Sequence, residues 1–294
     1  MTLSPRLGLG IVLGVAISFG ANHVAARVAF DDGASVPMAV LTRATGTALF
    51  LFLLMRLQRL SFAIPARMLA RASAVGILVA LQSYCLYSAV AIIPVALALL
   101  VFQVSPILYV LLSWATGKDP VRAQAFVPML LALFGLALAL DIGTDRMWPR
   151  WAELGAGVAW ALGGAVNFAL MLYSNAHLLP QVDGRLRTLL MTAVAAILVL
   201  VAGAATGTLV APQTAAGWVG LAMLTVFYGA AMTMLFIVLP RISPATTIAL
   251  NFEPIAVLCL GWVFLGQSLG PGQSVGVFTV SAAIAWLGFQ VRRA

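Results

Sequence analysis

The chain has 294 residues, 63% of them hydrophobic and only 8% charged, with a mean hydropathy of +1.09. That composition excludes a soluble globular domain and describes a protein whose solvent is lipid. The net charge of +8 could suit a nucleic-acid binder, but the basic residues are scattered at the ends of apolar runs and form no phosphate-binding face, so no nucleic acid is expected.

No Lys, Arg, Asp, Glu or His lies between Arg71 and Lys118 or between Arg187 and Arg241. Each gap holds two stretches of about 20 apolar residues, enough for two bilayer crossings as helix. In hydrocarbon only helices and closed barrels satisfy their own backbone, and these runs lack the alternation of a barrel strand. The expected class is therefore an all-α integral membrane protein. Cutting at charges, prolines and polar clusters predicts ten spans, near 7–29, 37–56, 71–93, 95–116, 122–140, 154–176, 187–210, 216–239, 244–266 and 272–291.

The first span follows Arg6 and is long enough to cross; it lacks the small-residue cleavage site of a signal peptide. Asn22 and His23 interrupt it. A lone histidine is ordinarily a packing group, and the functional alternative is a ligand or proton relay. Asp31-Asp32-Gly33 follows, a lone acidic pair that is poor evidence for a metal site. Arg43 lies about two turns into the second span. It is expected to snorkel outward or to pair with Asp31 or Asp32; capture of a substrate carboxylate is the alternative. In the third span Tyr84 and Tyr87 stand at i, i+3, so a shared face with both hydroxyls turned into a cavity is expected. Cys85, like Cys259 in the ninth span, sits in an apolar run and reads as a packing residue.

The fourth span carries Gln103 and Pro106, and the ninth carries Asn251, Glu253 and Pro254. Each proline removes a hydrogen bond to the residue four back, freeing the carbonyls of Phe102 and Leu250 beside the two amides. Both prolines are read as hinges. Glu253 is the one carboxylate deep in a span. It suits a substrate ammonium or a proton, and the plainer reading is a tie between its broken helix and a neighbour. Trp160, Asn167 and Tyr228 fall inside the sixth and eighth spans, too deep for an interfacial belt. Together with the others they meet the needs of an apolar pocket with a few polar groups. Gly155, Gly157, Gly163 and Gly164 permit close helix approach.

With the N-terminus inside, the inner segments hold Arg6, Arg56, Arg59, Arg67, Arg71, Lys118, Arg122, Arg185, Arg187, Arg241, Arg292 and Arg293 against Asp119 and Asp183. The outer segments hold most of the acids, so both termini are expected in the cytoplasm. The fourth span reads Phe102-Gln103-Val104-Ser105-Pro106 and then Trp114 and Gly117; the ninth reads Leu250-Asn251-Phe252-Glu253-Pro254 and then Trp262 and Gly266. These are the fourth spans of successive five-helix halves, 1–148 and 149–294. Since five is odd, the halves must be inverted, an architecture that lets a central site face either side.

Phe19-Gly20-Ala21-Asn22-His23-Val24-Ala25 resembles the Trp-Gly-Ser-Asn-Phe stretch of the drug/metabolite transporter superfamily, in its ten-helix EamA-type branch. Leu41-Thr42-Arg43 and the segments Pro94 to Pro106 and Pro244 to Pro254 are similar to that branch as well. Phe19 stands where tryptophan is usual, and Gly117-Lys118 and Gly266-Gln267 stand where Gly-Glu is common. The resemblance covers essentially the whole chain. It implies a secondary transporter of small metabolites in the bacterial inner membrane, and its YddG-like members export amino acids, aromatic ones included.

An amino-acid exporter working by alternating access is thus expected, with a small solute and the bilayer as partners, protons as a candidate coupling ion, and neither cofactor nor metal. Export of another metabolite or drug is the alternative. An intramembrane lipid or prenyl transferase needs paired carboxylates, or a nucleophile with its base, and Glu253 stands alone. A passive channel has no need of matched proline breaks. Phosphate esters call for several basic groups in the cavity, which favours a zwitterion or neutral solute.

Overall fold

The computed structural model describes residues 5–117, 126–140, 147–238 and 252–292. Its helices are α1 (Pro5–Asp31), α2 (Val36–Leu57), α3 (Ala66–Ile92), α4 (Val95–Phe102), α5 (Ser105–Ala115), α6 (Phe126–Ala139), α7 (Met147–Leu178), α8 (Gly184–Thr206), α9 (Ala215–Val238), α10 (Glu253–Leu265) and α11 (Pro271–Arg292). The fourth expected span holds two of them. Among the described residues seven stretches are long and apolar enough to cross a bilayer: Leu7–Asp31, Val36–Leu57, Ala66–Ile92, Val95–Ala115, Leu154–Leu178, Gly184–Thr206 and Ala215–Met232. Phe126–Ala139 and Glu253–Leu265 are apolar but shorter. Large side chains such as Leu130, Val201, Trp262 and Phe264 are more than half exposed, a surface that suits lipid and not water. The chain is a multi-pass membrane protein.

Local chemistry sets the helix ends. Ser35 caps α2 by accepting from the Met38 N–H, and Pro37 sits in the first turn, where no N–H is needed. Asp183 caps α8 by accepting from the N–H groups of Arg185 and Leu186, and Gly207 ends that helix at φ +67°. The break between α4 and α5 falls at Gln103-Val104, where the Gln103 N–H bonds to Leu99 and Leu100 and the Val104 N–H to Val101. Pro106 occupies the second position of α5. It starts a new helix instead of kinking a continuous one, and its missing N–H leaves the Phe102 carbonyl without that donor.

Helix α1 packs on α9 and α10, α3 on α7 and α8, α2 on α8 and α9, α4 on α7 and α10, α5 on α7, and α6 on α11. Two glycines bring backbones together: a Cβ on Gly220 of α9 would lie 2.8 Å from the Ala25 carbonyl of α1, and one on Gly276 of α11 would lie 2.6 Å from the Gly135 carbonyl of α6. At one end of the bundle the α1–α2 turn clasps the α8–α9 loop. Asp32 accepts from the Thr214 N–H at 2.8 Å and its hydroxyl at 2.7 Å, and the Ser35 N–H bonds to Val210. These bonds hold the Asp32 carboxyl below its ordinary range. At the opposite end Arg185 joins Gln58 at 2.7 Å, and Arg71 reaches the Leu178 carbonyl. There the Asp183 carboxyl is held down chiefly by its hydrogen bonds from Arg185.

Candidate functional site

A group of interior polar side chains gathers where α1, α2, α3, α9 and α10 meet. Tyr87 of α3 is fully buried and donates from its hydroxyl to Asn22 Oδ1 of α1 at 2.8 Å. Asn22 is fully buried too, and its amide donates weakly to the Phe19 carbonyl one turn back at 3.4 Å. His23, the next residue on α1, sets its ring edge-on to Tyr87 at 5.9 Å and places Nε2 3.5 Å from Glu253 Oε1. Its Nδ1 is buried without a hydrogen bond. Glu253 is the first residue of α10, so the pair ties that helix to α1 while leaving the carboxylate half-buried.

Arg43 completes the cluster, and here the expectation needs correcting. It neither snorkels nor meets Asp31 or Asp32. Asp31 is held by Arg27 at 2.8 Å, and Asp32 by Thr214. Arg43 instead turns inward and is only 6% exposed. Its Nη2 donates to Ser83 of α3, and its guanidinium carbon lies 4.9 Å from the Tyr87 ring and 4.4 Å from the Tyr228 ring of α9. Desolvated cation–π contacts of this kind are worth about 2 kcal/mol or more. Ser83 in turn donates to Gln82 at 3.4 Å, and Tyr228 meets Phe19 edge-on at 5.8 Å. The sequence signal for Arg43 is its depth in an apolar span; Gln82 and Ser83 gave none, since small polar residues are common in such helices.

The other singled-out residues lie apart. Tyr84 is exposed and packs edge-on against Trp160 of α7 at 5.8 Å, so it and Tyr87 do not share surroundings. Asn167 donates to the Gly163 carbonyl of its own helix at 2.8 Å. Gln103 is half-buried at the break after α4. Ser105 and Glu253 are the first residues of α5 and α10, with Pro106 and Pro254 second. Asn251 lies outside the described residues, as do Lys118, Asp119, Arg122, Asp141, Asp145, Arg146, Arg241 and Arg293. Cys85 is buried, whereas Cys259 is exposed on the apolar surface, and both are free thiols.

Two cavities lie outside this cluster. One of about 550 Å³ sits at the basic end, between Met55, Ile64, Met68, Gln181 and Asp183. The other, about 460 Å³, is an apolar groove between Val24, Val28, Met223 and Phe264 on α1, α9 and α10. Neither brings charged donors and acceptors to one point. The cluster does.

Residues 6–140 match the model of the EamA-like transporter family. Among solved structures, 21 chains match. One of them, titled only "Crystal structure of protein", superposes with a TM-score of 0.66 at 17% identity, covering 99% of this chain and 99% of that chain. A likeness at that identity speaks to the fold alone. No curated protein matches.

Proposed function

We propose that the chain is an EamA-type secondary transporter of the drug/metabolite superfamily. In this reading ten spans form two inverted halves, 1–148 and 149–294, which export a small amino-acid-like solute, as YddG-like members do, from the bacterial cytoplasm by alternating access. The observation that carries it is the buried polar cluster, built from α1, α2 and α3 of one half and α9 and α10 of the other. A cost of this kind inside an apolar bundle points to a ligand or a coupled ion.

The packing supports the inverted repeat. When α1, α2, α3, α4–α5 and α6 are matched in order with α7, α8, α9, α10 and α11, the pair α1–α9 exchanges with α7–α3. Likewise α1–α10 exchanges with α7 on α4 and α5, and α3–α8 with α9–α2, while α2–α8, α4–α10 and α6–α11 map onto themselves. Matching details agree: Pro106 and Pro254 hold the same helix position, and Trp114 and Trp262 both face outward. The basic end and the Asp32 clasp lie at opposite ends, as cytoplasmic termini require. Rocking of one half against the other would open this cluster to either side, with the two proline breaks as hinges.

Counterflow tests the reading. Proteoliposomes preloaded with an unlabelled amino acid should transiently concentrate the labelled one. Flux that merely equilibrates, whatever the preload, would indicate a channel.

A further inference from the structure

Among the described side chains, Asp31, Asp32, Asp183 and Glu253 are engaged away from Arg43: Asp31 by Arg27, Asp32 by Thr214, Asp183 by Arg185 and Glu253 by His23. Arg43 is nonetheless more than nine-tenths buried, with a serine hydroxyl and two tyrosine rings as its company. A guanidinium carries five N–H donors in one plane; Ser83 takes one of them, and the Tyr87 hydroxyl also interacts with the group. Aromatic rings compensate part of its charge but accept no in-plane bond. A buried cation without an anion is costly, and the partner that best satisfies a planar fork is a carboxylate received through two parallel bonds.

We propose that Arg43 receives the carboxylate of the transported solute, so that the substrate class is an organic acid with a free carboxylate. This rests on the transporter reading and sharpens it. The Tyr87 and Tyr228 rings hold the guanidinium, Ser83 fixes its Nη2, and the remaining donors meet the substrate. His23 and Glu253, on the other side of the contact chain through Tyr87, stand within the same cluster. A lysine at position 43 would supply the charge without the fork.

The test uses the full chain in detergent and in proteoliposomes. Its probes are the common L-amino acids, their C-terminal amides and the amines left by decarboxylation, with inorganic phosphate as a separate arm. The best acid should bind the wild type at least about tenfold more tightly than its own amide, the loss expected when a charge-assisted pair is removed. Arg43→Gln should abolish that preference while amine binding persists, and Arg43→Lys should recover part of it. Because the acid-against-amide comparison is made on the wild type, it stands even where a variant folds poorly. Equal binding of acid and amide, absence of any acid binding, or equal stabilisation by phosphate overturns the assignment. Counterflow of an amine or amide without preference for the acid sinks this inference alone, whereas no solute-dependent flux of any kind sinks the transporter reading.

Discussion

Replacing Tyr87 by phenylalanine removes one oxygen from the middle of the polar cluster and keeps the ring. The hydroxyl donates to Asn22 Oδ1 at 2.8 Å, and neither residue has exposed surface. Without it Oδ1 has no partner in a place that water does not reach. The cost is the desolvation of that group, about 1–3 kcal/mol, and not merely the ~1 kcal/mol net worth of an average hydrogen bond. The ring contacts with Arg43, His23 and Phe30 survive, so the cluster should keep its shape. Asn22→Ala orphans the tyrosine hydroxyl in turn and should cost a similar amount. The double variant, with both groups gone, should be less damaged than the two singles added together, by about 1 kcal/mol. Reversible unfolding of the four proteins in mixed micelles with a denaturing detergent reads this directly. Strict additivity would mean that the bond joining α1 and α3 is not made, and the site as described would be wrong.

Gly220→Leu should destabilise the bundle by about 1–3 kcal/mol through overpacking, since even a Cβ meets the Ala25 carbonyl at 2.8 Å; a lowered melting temperature in detergent checks it. Pro106→Ala restores an N–H that can reach the Phe102 carbonyl and join α4 to α5; with Pro254→Ala, binding should persist while turnover falls, and turnover near wild type would reduce both prolines to inert helix starts. The Asp32 clasp has a pH sign. Its folded carboxyl lies below the ordinary 3.8, so its contribution is complete above that value and fades as pH falls through the lower folded one. Amide protection in the 207–214 loop, taken relative to the intrinsic exchange rate at each pH, should therefore be unchanged from pH 7 to 5 and should fall in strongly acid solution. Asp32→Ala should lower that protection at neutral pH and converge with the wild type in strong acid.

The helices were legible because charges and prolines are the only strong punctuation in this chain. Arg56, Arg71, Arg187 and Pro94 mark ends that fall within several residues of α2, α3, α8 and α4. The break beside Pro106 was legible for the same reason, though the structure makes it a fresh helix start. Which side of each helix faces the interior was much less so. Lipid-facing and buried positions are equally apolar here, so periodicity carries little information. Tyr84 and Tyr87 lie three residues apart, yet one packs at the surface with Trp160 and the other is wholly enclosed. Arg43 shows the limit most clearly. Snorkelling was the sensible expectation for an arginine near a helix end, and what turns it inward is Ser83, Tyr87 and Tyr228, supplied by helices far along the chain. Its nearest acids were already taken by Arg27 and Thr214, pairings that only the fold reveals.

Sided thiol labelling tests most directly whether one buried site serves both faces of the membrane. Ser83→Cys, in a background of Cys85→Ala and Cys259→Ala, places a single thiol beside Arg43. In membrane vesicles of known orientation a small impermeant reagent should modify it slowly from either side, and bound amino acid should protect it from both. Modification from one side only, whatever the solute, would contradict alternating access around this cluster.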